Sequence, residues 1–270
     1  MQKIIDFFTL ALFVIRRKKK NRTVVAVTNE YTNTWSALRD KLEKSNTVEE
    51  WLYDVNGDNP RYYNIDGQFI KKIFHSNEFY RHILLQTFED TYSQATSVAE
   101  FGCGVGLNLI YVHMHHPHVK LYGFELCKPG VELGNLAAKK FNLPIQYFQL
   151  NYLDWIPSDI PMPDIDVAFT SFSLEQIPDE NLKALRNIMS HVNMGTFHLE
   201  PVVENYPWTL KGLIARLDHY KVGYLKNFGK NASMMVGKKN SVHTTLYTAH
   251  NPLMYPSVYV LKKETYTQKN

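Results

Sequence analysis

From residue 96 the chain alternates between strand-like and helix-like runs, and this constrains its fold more than any other feature. TSVAEF (96–101), VKLYGFEL (119–126), IQYFQLNY (145–152), IDVAFTSF (165–172) and TFHLEPV (196–202) are short, apolar and rich in β-branched or aromatic residues. LNLIYVHMHH, PGVELGNLAAKKFN and DENLKALRNIMSHV lie between them with helical spacing, the last stopped by Asn193-Met194-Gly195. Such alternation builds βαβ units, which put the strands parallel in one sheet with helices on its faces. Two more runs, HTTLYTA (243–249) and SVYVLKK (257–263), flank the turn-rich NPLMYP and suit an antiparallel pair closing one edge. The expectation is a doubly wound α/β domain over 92–270 with seven strands, mostly parallel.

Upstream, 23–91 reads as a helical region. Residues 34–53 have helical spacing, and Thr47 with Glu50 predicts a capping box opening a second helix. Residues 55–69 contain Asn-Gly, Asn-Pro and Asp-Gly and read as loop or turn, and 70–89 as helix. The run TVVAV (23–27) is too isolated to place.

Residues 1–22 form a third segment. IIDFFTLALFVI (4–15) has ten apolar residues in twelve, and a basic cluster from Arg16 to Arg22 follows. A helix of this length covers about 18 Å, short of the roughly 30 Å of bilayer hydrocarbon. A secretory signal would carry its charge first and a small-residue cleavage site after. Two readings stay open. Residues 4–22 lie in a membrane interface with the cations on anionic headgroups, or they pack into this protein or a twin subunit.

Two cysteines, Cys103 and Cys127, cannot build a disulfide framework or a four-cysteine zinc site, and a reducing cytoplasmic setting follows. The net charge of +4 is small and gathers at the N-terminus, so no nucleic-acid partner is expected. His113, His115, His116 and His118 crowd a predicted helix end, where cations suit the dipole. No cysteine or carboxylate completes a metal site there, and none is expected.

The turn from the first α/β strand into its helix reads Glu100-Phe-Gly102-Cys-Gly104-Val-Gly106. Glycines there let a ligand approach the backbone at a helix N-terminus. A dinucleotide fingerprint, G-x-G-x-x-G, would need a third glycine at 107 or 109, and both are Leu. A P-loop would need G-K-[ST], which does not follow.

With acid-x-G-x-G-x-G at this turn, the chain resembles the class I S-adenosylmethionine-dependent methyltransferases. Further matches fall in order: Glu125 ends the second strand, Asn151-Tyr152-Leu153-Asp154 the third, and IDVAFTSFSLEQIP carries the fourth. The resemblance implies the Rossmann-like seven-stranded sheet and S-adenosyl-L-methionine as cofactor. It implies that Gly102, Gly104 and Gly106 shape the loop, with Glu100 beside them, and that Glu125 accepts from the ribose hydroxyls. Leu126 would lie against adenine, Asn151 and Tyr152 would meet its amino group and ring nitrogen with Asp154 in reserve, and Thr170 and Ser171 would sit beside the methionine part.

Acceptor assignment is thinner. The Asn/Asp-Pro-Pro-Tyr/Phe motif of exocyclic DNA-amine methylation is replaced by Thr-Ser-Phe-Ser, and neither cysteine sits in a Pro-Cys pair. Leu174-Glu175-Gln176-Ile177 is typical of the branch acting on small molecules, lipids, quinones and sugars. The expected activity is in-line methyl transfer to a small molecule or lipid-linked acceptor, glycans included, in the cytoplasm or at its membrane face. A catalytically silent partner subunit and a nucleic-acid methyltransferase are the alternatives. His198, near the end of the fifth strand, is the candidate general base against a structural role, with Glu200 on the same side and His219, His243 and His250 behind it. Arg61-Tyr62-Tyr63 is a candidate lid element.

Overall fold

The computed structural model describes residues 8, 10–12, 14–19, 23–53, 60–154 and 162–264. Residues 4–7, 9, 13 and 20–22 of the apolar-basic segment, and 54–59 of the turn-rich stretch, lie outside the described residues.

Residues 10–12 and 14–16 are helical. The unplaced run at 23–27 opens α1 (Val24–Ser36), where the Thr23 side chain accepts from Ala26 N at 3.2 Å. Then come α2 (Arg39–Lys44) and α3 (Val48–Leu52). The capping box forms: Thr47 Oγ1 accepts from Glu50 N, and Glu50 Oε2 reaches back to Asn46 N at 2.6 Å.

The next segment differs from its sequence reading. Residues expected as loop and helix start make an antiparallel hairpin, β1 (Arg61–Ile65) and β2 (Gln68–Lys72). Asp66 (φ 49°) and Gly67 (φ 76°) supply the two left-handed positions of a two-residue hairpin turn. Tertiary contacts then hold the hairpin, since Asn64 exchanges backbone hydrogen bonds with Ala249 and donates from Nδ2 to Met254 O. Helix α4 therefore begins only at Ser76 and runs to Tyr92.

The α/β region follows as β3 (Ser97–Phe101), α5 (Leu107–His115), β4 (Lys120–Glu125), α6 (Lys128–Lys140), β5 (Ile145–Gln149), β6 (Ile165–Ser171), α7 (Asn181–Ser190) and β7 (Val192–Pro201). Asn193-Met194-Gly195 thus belongs to β7 and does not terminate the helix, because Gly195 is laddered to both Val167 and Lys262. Two helices that the sequence reading lacked, α8 (Leu210–Val222) and α9 (Phe228–Val236), precede β8 (Ser241–Thr245) and β9 (Pro256–Lys262). The sheet order is β5-β4-β3-β6-β7-β9-β8, with the first five strands parallel and the last two antiparallel, as expected.

Side chains alternate across this sheet. Val98, Leu121 and Val167 pack under α4, α5 and α6, while Ala99, Tyr122 and Ala168 face α7 and α9. Both faces are covered, and the carboxyl ends of β3, β4 and β6 are left at one rim. Among the described residues no helix is long and apolar enough to cross a membrane.

Candidate functional site

The turn after β3 doubles back tightly. Gly102 N and Cys103 N both donate to Phe124 O, tying the loop to the end of β4. Gly102 (φ 74°) and Gly104 (φ 57°) occupy left-handed backbone that other residues adopt at a cost. A Cβ at Gly102 would lie 1.8 Å from Ser173 Oγ, and one at Gly104 would lie 2.7 Å from the Trp35 ring. Glu125 fixes the rest of the loop, accepting from Gly104 N at Oε2 and from Cys127 N at Oε1, each at 2.9 Å. Its carboxyl is raised above its ordinary range by burial, against which these backbone donors act.

The loop borders a cavity of about 690 Å³. Of the residues singled out in the sequence, Glu100, Gly102, Gly104, Glu125, Leu126, Asn151, Tyr152 and Ser171 line it. Asn151 Oδ1 accepts from Leu153 N at 3.1 Å, and Tyr152 reaches Ser173 Oγ at 2.9 Å. Asp154 is exposed and lies off the wall. Gly106 is also off the wall, packed on Tyr147 where the chain turns into α5.

Two further expectations are corrected. Thr170 is fully buried behind the wall, its hydroxyl donating to Glu200 Oε1 at 2.8 Å and lying 2.9 Å from His198 Nδ1. His198 shares that burial, and its Nε2 meets Thr196 Oγ1 at 2.8 Å. With both ring nitrogens occupied and the ring held neutral down to about 3 by burial, His198 has no access to an acceptor. Glu200 does face the same side, as the strand period requires, but its work is structural. Its carboxylate accepts from the backbone N–H groups of Ser173, Leu174 and Glu175, which fixes the turn that presents Ser171 and Phe172 to the cavity. The lid expectation changes as well. Tyr62 stacks on Phe69 within the hairpin at 4.4 Å between centroids, and none of Arg61, Tyr62 and Tyr63 lines the cavity. Instead Tyr31 and Trp35 of α1, Leu38 and Lys41 cover it.

Two buried titratable groups on the wall, Glu100 and Arg81, each carry an unused polar atom. Glu100 is 1% exposed; Oε1 accepts from Asn108 Nδ2 at 2.7 Å, and Oε2 has no partner among the described residues. Burial raises this carboxyl to about 8, against the lowering effect of Asn108. Arg81 of α4 is 4% exposed; its Nη1 donates to Leu52 O at 2.9 Å, its Nε has no partner, and it makes no ion pair among the described residues. Burial pulls its guanidinium below its ordinary value. A buried guanidinium and a buried carboxyl, each with an unused polar atom, therefore face one cavity.

The sequence reading did not single out Arg81. A signal was present, because Tyr80, Arg81, Leu84, Leu85 and Phe88 form the buried stripe of α4 and put an arginine where the pattern demands an apolar residue. Of the remaining histidines, His250 meets the wall through Tyr80: its Nδ1 is 3.0 Å from Tyr80 Oη, which in turn accepts from His250 N.

No protein-family model and no curated protein matches this sequence. Solved structures do. The plantazolicin methyltransferase BpumL in complex with SAH is 12% identical with a TM-score of 0.52, over 88% of this chain and 96% of that one. Magnesium protoporphyrin IX methyltransferase ChlM from Synechocystis PCC 6803, with bound SAH, is 10% identical with a TM-score of 0.53, over 70% and 85%. An O-methyltransferase from a trans-AT PKS multienzyme of Brevibacillus brevis, with S-adenosyl-L-homocysteine, is 16% identical with a TM-score of 0.50, over 70% and 74%. At these identities the likeness is one of architecture: the chain has the doubly wound, seven-stranded fold of the class I methyltransferases.

Proposed function

We propose that this chain is an S-adenosylmethionine-dependent methyltransferase acting on a small molecule or on the head of a lipid-linked acceptor. The observation that carries the reading is the match between the cavity wall and the cofactor's amino-acid end. Arg81 offers a buried cation to an α-carboxylate, and Glu100 Oε2 offers a free acceptor to an α-ammonium. At the other end Glu125 would accept from the ribose hydroxyls, Leu126 would lie on adenine, and Asn151 Oδ1 would take its amino group.

The cofactor supplies a sulfonium-activated methyl group for in-line displacement. The protein's part is to align an acceptor with that carbon and exclude water. Trp35, Leu38 and Val27 close the roof with apolar surface, and the turn held by Glu200 sets Ser171 and Phe172 on the reacting side. With His198 sealed off, the Tyr80–His250 pair is the group to test for proton transfer: Tyr80 Oη lies 3.0 Å from Nδ1 of a ring that burial keeps neutral, its pKa lowered to about 4. Two buried, unpaired thiols at Cys103 and Cys127 suit a cytoplasmic setting. A small-molecule acceptor is supported by neighbours named for plantazolicin and magnesium protoporphyrin IX, and a lipid-linked one by Phe8, Leu12 and Ile15, which stand exposed beside basic residues.

The test is calorimetric titration of S-adenosylmethionine and S-adenosylhomocysteine into wild type and Glu125→Ala. Micromolar binding that the variant loses is the expected result. Folded wild-type protein that binds neither ligand would overturn the proposal.

A further inference from the structure

Helix α8 is amphipathic in the wrong sense for a helix packed on a core. Its inward face carries Gly212, Ala215, Asp218, His219 and Val222, all buried. Its outward face carries Leu210, Leu213, Leu217 and Tyr220, with 68%, 47%, 40% and 54% of their surface exposed. At 100° per residue these four fall within roughly 80° of one another, forming a single stripe. Trp208, 80% exposed, stands just ahead of them with Arg216 over its ring at 4.1 Å.

The N-terminal helical residues lie alongside. Val14 is buried with Ala215, Tyr206 and Tyr255, Arg17 pairs with Asp218 at 2.8 Å, and Lys221 Nζ donates to Val14 O and Ile15 O. Phe8, Leu12 and Ile15, at i, i+4 and i+7, are exposed on their own face. Of the two sequence readings of this segment, packing therefore accounts for Val14 and Arg17, while Leu12 and Ile15 stay more than half exposed. The charge along the two segments is mostly of one sign, with Glu204 an exposed acid beside Arg216. Residues 8–19 and 208–222 hold seven Lys and Arg and a single acid, Asp218, which is buried and paired with Arg17. Arg16, Lys18 and Lys19 are exposed at the end of the N-terminal helix.

We propose that α8 and the N-terminal helix form one two-helix face that docks on an anionic lipid surface, with both stripes at the acyl boundary and the cations on the headgroups. Apolar rows alone would suit a second copy of the chain equally well. The surrounding positive charge favours lipid, because two copies would bring like charges together around the contact. This goes beyond the methyl-transfer reading and does not depend on it.

The experiment is co-sedimentation of the full chain with vesicles of phosphatidylcholine and of phosphatidylcholine with equal phosphatidylglycerol. Wild type is expected to pellet with the anionic vesicles and to be released by salt. Leu213→Glu/Leu217→Glu should bind about tenfold more weakly or worse, while its circular-dichroism spectrum at the assay temperature stays that of the folded wild type, since neither side chain belongs to the buried core. Arg16→Ala/Lys18→Ala/Lys19→Ala should reduce anionic binding to the level on phosphatidylcholine alone. Wild type left in the supernatant, or a double-leucine variant that binds as wild type does, would overturn the proposal. So would a wild-type dimer without vesicle binding that the double variant dissolves. Cofactor titration of the same preparations reports separately on the methyl-transfer reading.

Discussion

Arg81 gives a sharp test, because the structure assigns it a cost in the free protein and a benefit only in the complex. Its guanidinium is buried and donates to Leu52 O, and among the described residues its Nε has no partner. Arg81→Met keeps most of the stem and removes the charge. Loss of the Leu52 contact costs about 1 kcal/mol, and release of an unpaired buried cation offsets it, so stability to urea should change by less than about 1–2 kcal/mol. Binding should change far more. Two charge-assisted hydrogen bonds to a carboxylate contribute about 3 kcal/mol together, which corresponds to an S-adenosylhomocysteine Kd about 150-fold higher in the variant. Calorimetry of both proteins with S-adenosylhomocysteine and with its decarboxylated analogue completes a double-mutant cycle. The analogue should bind both proteins within a few-fold, so that nearly all of the 3 kcal/mol appears as coupling between Arg81 and the carboxylate. Equal weakening for both ligands would refute the reasoning and place the effect of Arg81 in the fold of α4.

Two pH effects follow from burial. Glu100 is raised to about 8 and must be ionised to receive an ammonium, so S-adenosylhomocysteine affinity should rise as pH increases from 6 to 8, by up to about tenfold per unit, and Glu100→Gln should flatten that slope. Stability should respond differently. His198 is lowered to about 3, and His219 and His250 to about 4, so their contribution is complete above about 6.5 and is lost on acidification. Glu100 and Glu200, raised to about 8 and about 7, act with the opposite sign, and their stability is regained as pH falls toward about 4.5. Between about pH 6.5 and 4.5 three histidines lose against two carboxyls that gain, so the net loss is that of one group, up to about 1.4 kcal/mol per pH unit. Below about 4.5 only the histidine losses remain, so the urea midpoint should fall gently to about pH 4.5 and then more steeply. A fall from pH 6.5 at the full steepness of three groups would refute the assignment of raised carboxyls.

The α/β half was legible because its signals are local. Strand and helix periods alternate from residue 96, and a glycine-rich turn marks the first crossover whatever the rest of the chain does. The corrections share one cause, which is that neighbours in space outvoted local pattern. Asp66-Gly67 has the chemistry of a hairpin turn, yet its strands are short and are tied down by residues far along the chain, Lys211, Tyr247, Ala249 and Met254 among them. Asn193-Met194-Gly195 read as a helix stop, and two flanking strands drew it into β7. Helix α8 carries Leu210, Leu213, Leu217 and Tyr220 at helical spacing, a signal that sequence does offer, and only the fold shows that this stripe turns outward.

Sequence alone determined the parallel sheet with its antiparallel edge, the loop geometry at Gly102 and Gly104, and the positions of Glu100, Glu125 and Asn151 at strand ends. Each of these follows from residue period and backbone sterics within a few residues. Tertiary structure alone decided which side chains reach the cavity. It withdrew His198 and Thr170 behind the wall, although the strand pattern could not distinguish a buried ring from an accessible one. It brought Arg81 from α4 to face Glu100 and set Trp35 over the glycine loop. Burial and the pairing of charges are properties of surfaces brought together from distant parts of the chain, and no run of residues carries them by itself.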